Sequence, residues 1–200
     1  MKFNFPTKLC FLRIIFAFLI ILLLLFPFYR LDITFPSILY KDMIIDLRYI
    51  ICGIIFIFAS ITDYFDGKIA RKRKQVTNFG KMIDAIADKI LVDSVLIIFA
   101  GYGYISLFVP VIIIARDIIV DAIKLSVAKE GGQQAAIMSG KIKTASLMIG
   151  MVLTFFYNLP FELIGLKVST FFLYFGTIMS IISMIEYYKI NKKIIFSEFY

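Results

Sequence analysis

Six long apolar runs divide this chain and leave it few ways to fold. They lie at about residues 10–28, 49–65, 82–104, 106–128, 143–160 and 168–188. Each is far longer than a β-strand and close to the roughly 20 residues that a helix needs to cross a bilayer. Hydrophobic residues make up 61% of the chain, against roughly 45–50% in soluble domains. We predict an all-α integral membrane protein of six transmembrane helices, forming a single membrane domain over residues 1–200.

The distribution of Lys and Arg predicts the orientation, because positive residues concentrate in cytoplasmic segments. They cluster before the first run, between the second and third, between the fourth and fifth, and after the sixth. The segments that would lie outside hold only Arg30, Lys41, Arg48 and Lys167. Both termini are therefore expected in the cytoplasm of a multi-pass protein of the cell membrane. Because the positive residues flank apolar runs, the net charge of +8 does not indicate a nucleic-acid partner.

The linker of about 29–48 is the longest connection between runs and is mixed in character. We expect a short helix that lies at the membrane interface.

Charged residues interrupt the third and fourth runs. They are Asp84, Asp88, Lys89, Asp93, Arg116, Asp117 and Asp121. An ionisable group costs at least about 2.5 kcal/mol at the centre of a span, so such residues usually face the bundle interior or a wet cavity. The second run ends, and the third begins, at the predicted cytoplasmic face. A polar site that opens toward the cytoplasm is therefore expected there.

Four aspartates share matching positions on the second and third helices. Asp63 and Asp66 are three residues apart, and Asp84 and Asp88 are four residues apart. On a helix each pair therefore lies on one face. A basic turn at about 72–79 can bring the two faces together. Four converging carboxylates would repel one another unless divalent cations neutralise them. With no histidine in the chain, hard oxygen ligands predict a pair of Mg²⁺ or Mn²⁺ ions, an arrangement suited to phosphoryl chemistry.

Small residues lie beside these aspartates. Gly67, Ala70 and Gly80 leave a groove where a phosphorylated group can approach the helix backbone. Arg71 falls on the same face and suits a phosphate. The pattern indicates a binding site for a phosphorylated substrate next to the carboxylates.

These positions together resemble the signature of the CDP-alcohol phosphatidyltransferase family. The matching pattern is Asp63-x-x-Asp66-Gly67-x-x-Ala70-Arg71, then Gly80-x-x-x-Asp84-x-x-x-Asp88. The resemblance implies a six-helix membrane enzyme that uses two divalent ions while an alcohol displaces CMP from a CDP-linked lipid. Asp63, Asp66 and Asp84 would hold one ion, and Asp63, Asp84 and Asp88 the other. Asp88 would also be the general base.

The same resemblance extends to the substrates. Gly67, Arg71 and Thr77 match positions that contact the CDP-lipid head group in similar enzymes. The segments "TNFGKMIDAIADKILV", "IIIARDIIVDAIKLSVA" and "SGKIKT" are similar to those of bacterial members that use CDP-diacylglycerol and sn-glycerol 3-phosphate. Family members often pair, which implies a homodimer.

A basic pocket for the acceptor phosphate is predicted on the cytoplasmic halves of the third to fifth helices and the adjoining loop. Its residues would be Lys81, Arg116, Lys124, Lys141 and Lys143. Similar synthases carry Ser where this chain has Asp121. A negative charge there is unfavourable for a phosphate unless a neighbouring cation pairs with it.

Two alternatives stay open. The chain could use another acceptor of the same superfamily and make cardiolipin, phosphatidylserine or phosphatidylinositol. Intramembrane carboxylates could instead line a divalent-cation transporter. Against the transporter, the acids cluster at one membrane face, with no matching polar ladder toward the other.

Overall fold

Six α-helices account for most of the chain in this computed structural model. They are α1 (Phe5–Leu25), α2 (Leu47–Lys72), α3 (Asn78–Gly101), α4 (Phe108–Lys129), α5 (Met138–Phe155) and α6 (Val168–Ile195). The structure describes residues 5–40, 43–72, 78–129 and 137–195, with side chains for all of these except 5, 6, 40, 64–72, 78, 81, 129 and 193–195. Each predicted apolar run overlaps one helix, so the prediction of six helices is confirmed, and their crossing of a membrane stays a prediction.

The segment between α1 and α2 corrects the all-α prediction. A short helix was expected there, and the segment holds a 3-10 turn at Phe28–Leu31 together with an antiparallel hairpin that was not expected. The hairpin pairs β1 (Ser37–Tyr40) with β2 (Met43–Asp46). Isoleucine and tyrosine, which occur in these two segments, favour strands. The backbone N–H of Arg48 donates to Asp46 Oδ1 at 2.8 Å, so Asp46 caps α2 directly after the hairpin.

Helix α1 lies between the two helices that carry the four aspartates. It packs against α2 and α3, whereas α2 and α3 share few close contacts among the described residues. Helices α4 and α5 both pack against α6, and the two groups meet where α2 contacts α5 and α3 contacts α4. The rings of Phe56 and Phe99 lie 5.6 and 4.7 Å from that of Phe155, all three fully buried, which joins α2, α3 and α5 in one core.

Among the described residues, two helices are long and apolar enough to cross a membrane by length and composition, α1 over Thr7–Leu25 and α6 over Val168–Lys192. Large apolar side chains also cover the outside of α1. Ile15, Phe18, Leu22 and Leu25 follow one helix face and are all exposed. An outward apolar stripe of this kind suits contact with lipid.

Glycines allow α5 and α6 to approach closely. A Cβ at Gly150 would lie 2.7 Å from Leu173 Cγ and 3.1 Å from the Leu173 backbone nitrogen. A Cβ at Gly176 would lie 2.9 Å from Leu147 Cγ. Small residues at such crossings let helix backbones pack together where lipid supplies no hydrophobic drive.

The Gly150→Ala variant is expected to lower the free energy of unfolding by about 1–3 kcal/mol, because the added methyl group displaces Leu173 and its backbone. Reversible unfolding in mixed detergent micelles measures this change. Gly101→Ala is the matched control, since a Cβ there has no atom within 4 Å. Equal stability of the two variants would contradict the close α5–α6 contact.

Candidate active site

A buried arginine joins two of the signature aspartates. Arg13 in α1 has no exposed surface. Its Nη1 lies 2.7 Å from Asp63 Oδ1 in α2 and 2.9 Å from Asp84 Oδ1 in α3. The structure therefore brings these two carboxylates together on either side of a positive group that the sequence analysis had assigned no role.

Asp88 follows Asp84 by one turn of α3 and is half-buried. It interacts electrostatically with Asp63, Asp84 and Arg13, and with Lys143 in α5. Asp88 therefore lies between the carboxylate pair and the cations of α5.

The remaining signature residues are described less fully. Asp66, Gly67, Ala70 and Arg71 belong to the last turns of α2, and their side chains lie outside the described part of the chain. The same holds for the Lys81 side chain, and the whole of Thr77 falls between described residues. Gly80 lies in the first turn of α3.

The described carboxylates fit a shared hard cation. One cationic nitrogen within 2.9 Å of both Asp63 and Asp84 shows that their oxygens are close enough to share a positive charge. Their side chains remain 40% and 46% exposed, so a ligand can reach them. No three acidic or sulfur ligands surround one point among the described side chains, a set that does not include Asp66. Further ligands would have to come from other groups.

A cavity of about 590 Å³ opens beside Asp88 and is bounded by α3, α4, α5 and α6. Its charged lining residues are Asp88, Lys89, Arg116, Asp117, Asp121, Lys124, Lys141 and Lys143. Four of the five residues predicted for an acceptor phosphate are therefore brought together here, and the fifth, Lys81, is the one whose side chain is not described. The cavity has room for a small polar molecule in contact with both Asp88 and several cations.

Arg116 is held in place by the neighbouring helix. Its Nε donates to the Ser180 carbonyl at 3.1 Å, its Nη1 to Asp117 Oδ1 at 2.7 Å, and its Nη2 to the Ser183 hydroxyl. These bonds use three of the roughly five N–H donors of a guanidinium. Arg116 is thus fixed at the cavity wall with donors to spare for an anion.

Lys143 shares the same carboxylate. Its Nζ lies 2.7 Å from Asp117 Oδ1 and 2.8 Å from Asp117 Oδ2, and the side chain is buried. Asp117 therefore orients two cavity cations, Arg116 and Lys143, at once. From the sequence, Asp117 was evident only as a charge at membrane depth.

Replacing Asp117 by Asn should lower the free energy of unfolding by about 3–5 kcal/mol, because two buried cations lose their shared carboxylate. Unfolding in mixed micelles measures the loss. Asp117→Glu keeps the charge and should lose less than half as much. If both variants were equally unstable, side-chain shape and not charge would explain the effect.

Lys89 and Asp121 form an ion pair between α3 and α4 at the cavity. Lys89 is therefore the cation that compensates the negative charge of Asp121, which would otherwise disfavour a phosphate in this cavity. Lys89 was not among the predicted site residues, because its place within the third apolar run gave no sign of its partner.

Helix α6 contributes to the cavity although the sequence analysis assigned no site residue to it. The backbone carbonyl of Ser180 and the hydroxyl of Ser183 accept hydrogen bonds from Arg116, and the ring of Tyr187 lies 5.4 Å from Lys124 Nζ. Along α6, Ser180, Ser183 and Tyr187 stand at positions i, i+3 and i+7 of a mostly apolar run. That polar face was the available signal.

Comparisons with known proteins cover nearly the whole chain. The family model described as CDP-alcohol phosphatidyltransferase matches residues 3–185. A CDP-diacylglycerol--glycerol-3-phosphate 3-phosphatidyltransferase of Bacillus subtilis (strain 168) is 37% identical, covering 94% of this chain and 95% of the relative. Proteins with the same name from Pectobacterium atrosepticum and Haemophilus influenzae are each 32% identical. They cover 94% and 96% of this chain, and 94% and 95% of their own lengths.

Proposed function

The chain belongs to the CDP-alcohol phosphatidyltransferase family, and from this we propose that it transfers the phosphatidyl group of CDP-diacylglycerol to sn-glycerol 3-phosphate. The products are CMP and phosphatidylglycerophosphate. Relatives that carry this activity in their names match almost the whole chain, at 37% and 32% identity.

The observation that carries the proposal is one cavity that contains both Asp88 and a set of cations. A phosphate on the acceptor would be met by Arg116, Lys124, Lys141 and Lys143, together with Lys81. An acceptor held there presents its hydroxyl toward Asp88. An uncharged acceptor such as inositol would bring no negative charge to these cations and would form none of the charge-assisted hydrogen bonds that a phosphate offers them.

In the proposed reaction Asp88 takes the proton of the acceptor's terminal hydroxyl. The hydroxyl oxygen then bonds to the lipid-linked phosphorus, and the bond from that phosphorus to the CMP oxygen breaks. Asp63, Asp66, Asp84 and Asp88 would hold two divalent cations, Mg²⁺ or Mn²⁺, which supply positive charge against the diphosphate. Arg71 would balance the charge that develops on CMP.

The CDP-lipid head group is proposed to lie along the end of α2 and the start of α3. Gly67, Ala70 and Gly80 would allow close approach, and Thr77 would contribute a polar contact. The acyl chains would stay in the bilayer beside the helices. This arrangement follows the family signature and the small residues that accompany it.

We also propose that all six helices cross the cell membrane, with both termini and the cavity at the cytoplasmic side. The distribution of Lys and Arg supports this orientation, and the water-soluble acceptor and CMP would then exchange with the cytoplasm. Two copies would pair as a homodimer, as members of the family often do.

The test uses membranes that contain the protein, labelled CDP-diacylglycerol and Mg²⁺ or Mn²⁺. Glycerol 3-phosphate, serine, inositol and phosphatidylglycerol are supplied one at a time. CMP release with glycerol 3-phosphate alone is expected. Release with another alcohol would assign a different acceptor, and Mn²⁺ flux into sealed vesicles without any CMP would favour the transporter.

A further inference from the structure

Arg13 has no part in the reaction proposed above, yet it is fully buried against two of the carboxylates. We propose that Arg13 is a positioning residue of the carboxylate site. It fixes Asp63 and Asp84 relative to each other and lowers their affinity for divalent cations, so that cations bind tightly only together with an anionic diphosphate. The last part rests on the proposed function.

The packing of the helices gives Arg13 its positioning role. Helices α2 and α3 share few close contacts among the described residues, and α1 packs against both. Arg13 Nη1 reaches Asp63 at 2.7 Å and Asp84 at 2.9 Å. A guanidinium is planar and rigid, so it constrains the direction of each carboxylate that it contacts. Arg13 on α1 thus holds Asp63 of α2 and Asp84 of α3 in a fixed arrangement.

The charge of Arg13 determines the sign of its effect on cations. A guanidinium stays protonated at all ordinary pH values, so it permanently offsets part of the negative charge of Asp63 and Asp84. A divalent ion bound to the same carboxylates also meets repulsion from this nearby positive group. A diphosphate brings additional negative charge, which compensates for Arg13 and restores tight binding.

The chain provides a matched control on the same helix. Lys8 is exposed, whereas Arg13 is buried. Replacing either residue by Met removes one positive charge from α1, but only the change at Arg13 removes a contact with Asp63 and Asp84.

The first experiment measures Mn²⁺ binding by electron paramagnetic resonance on the full chain in detergent micelles, without CDP-diacylglycerol. Arg13→Met and Arg13→Gln should bind Mn²⁺ at least about tenfold more tightly than the unmodified chain, a size that Coulomb attraction reaches even in water-like surroundings. Lys8→Met should stay within about twofold, because exposed charges are screened. A purely structural role would weaken binding, so unchanged or weaker binding in whichever of the two Arg13 variants folds would overturn the inference.

The second experiment separates positioning from charge. Arg13→Lys keeps the charge and should leave Mn²⁺ affinity within about threefold, but it should lower kcat for CMP release about tenfold because a compact ammonium on a flexible stem does not fix the two carboxylates as a planar guanidinium does. Native turnover in this variant would overturn the positioning role. Mn²⁺ binding requires neither acceptor nor CMP. An unmodified chain that binds Mn²⁺ but releases no CMP would therefore refute the proposed function alone.

Discussion

The Asp88→Asn variant is expected to release CMP at least about 10³-fold more slowly while it keeps the fold. A general base contributes roughly 10²–10⁴-fold to a reaction rate, and Asp88 is also proposed to hold a cation. An amide can neither accept the hydroxyl proton efficiently nor supply the lost negative charge. The measurement is CMP release from labelled CDP-diacylglycerol at saturating glycerol 3-phosphate, with unfolding in mixed micelles as the check on stability.

Asp32→Asn is the control for this variant. Asp32 is exposed and follows the 3-10 turn between α1 and β1, with a φ of 55° that asparagine tolerates well. The same chemical change there should leave turnover unaltered. Near-normal turnover of Asp88→Asn would exclude Asp88 as the base and would weaken the whole mechanism.

The Lys143→Gln variant is expected to raise KM for glycerol 3-phosphate about 10- to 100-fold, the loss that corresponds to one charge-assisted hydrogen bond. Asp117 keeps Arg116 as a partner in this variant, so the cavity wall should persist. KM for CDP-diacylglycerol should change less than about twofold, because the donor is proposed to bind along α2 and α3. Initial rates with each substrate varied in turn provide both values.

Lys167→Gln removes one positive charge from an exposed position in the loop before α6, and it should change neither KM. An equal rise in both KM values for Lys143→Gln would indicate general distortion of the protein. In that case the assignment of the cavity to the acceptor phosphate would be wrong.

The helices were predictable because each apolar run is long enough to specify a helix by itself. The hairpin was not, since Ser37–Tyr40 and Met43–Asp46 are only four residues each and lack the polar–apolar alternation that would indicate a half-buried strand. Tertiary contacts contribute to its position, because the backbone N–H of Asp46 donates to the Tyr157 hydroxyl at 2.8 Å. No local pattern shows a bond between residues so far apart in the chain.

The candidate site likewise contains residues that the sequence predicted and partners that it did not. The spacing of Asp63, Asp84 and Asp88 along two helices indicated their chemistry, because helical periodicity places them on matching faces. The partners of these charges come from other helices, as Arg13 does for the carboxylates and Asp117 does for the cavity cations. Such pairings depend on the packing of helices, which a single sequence does not specify.

The buried position of Arg13 also has a consequence for how the protein is made. During synthesis α1 emerges first, before Asp63 or Asp84 exists to pair with it. An arginine costs about 2.5–3.5 kcal/mol when a helix enters the bilayer alone, a cost that the apolar residues 14–25 must outweigh. In the proposed topology α2 and α3 insert later, and Asp63 and Asp84 then relieve this penalty. Completion of the carboxylate site is therefore coupled to the docking of the first helix, and a nascent chain cannot assemble that site until α3 is in place.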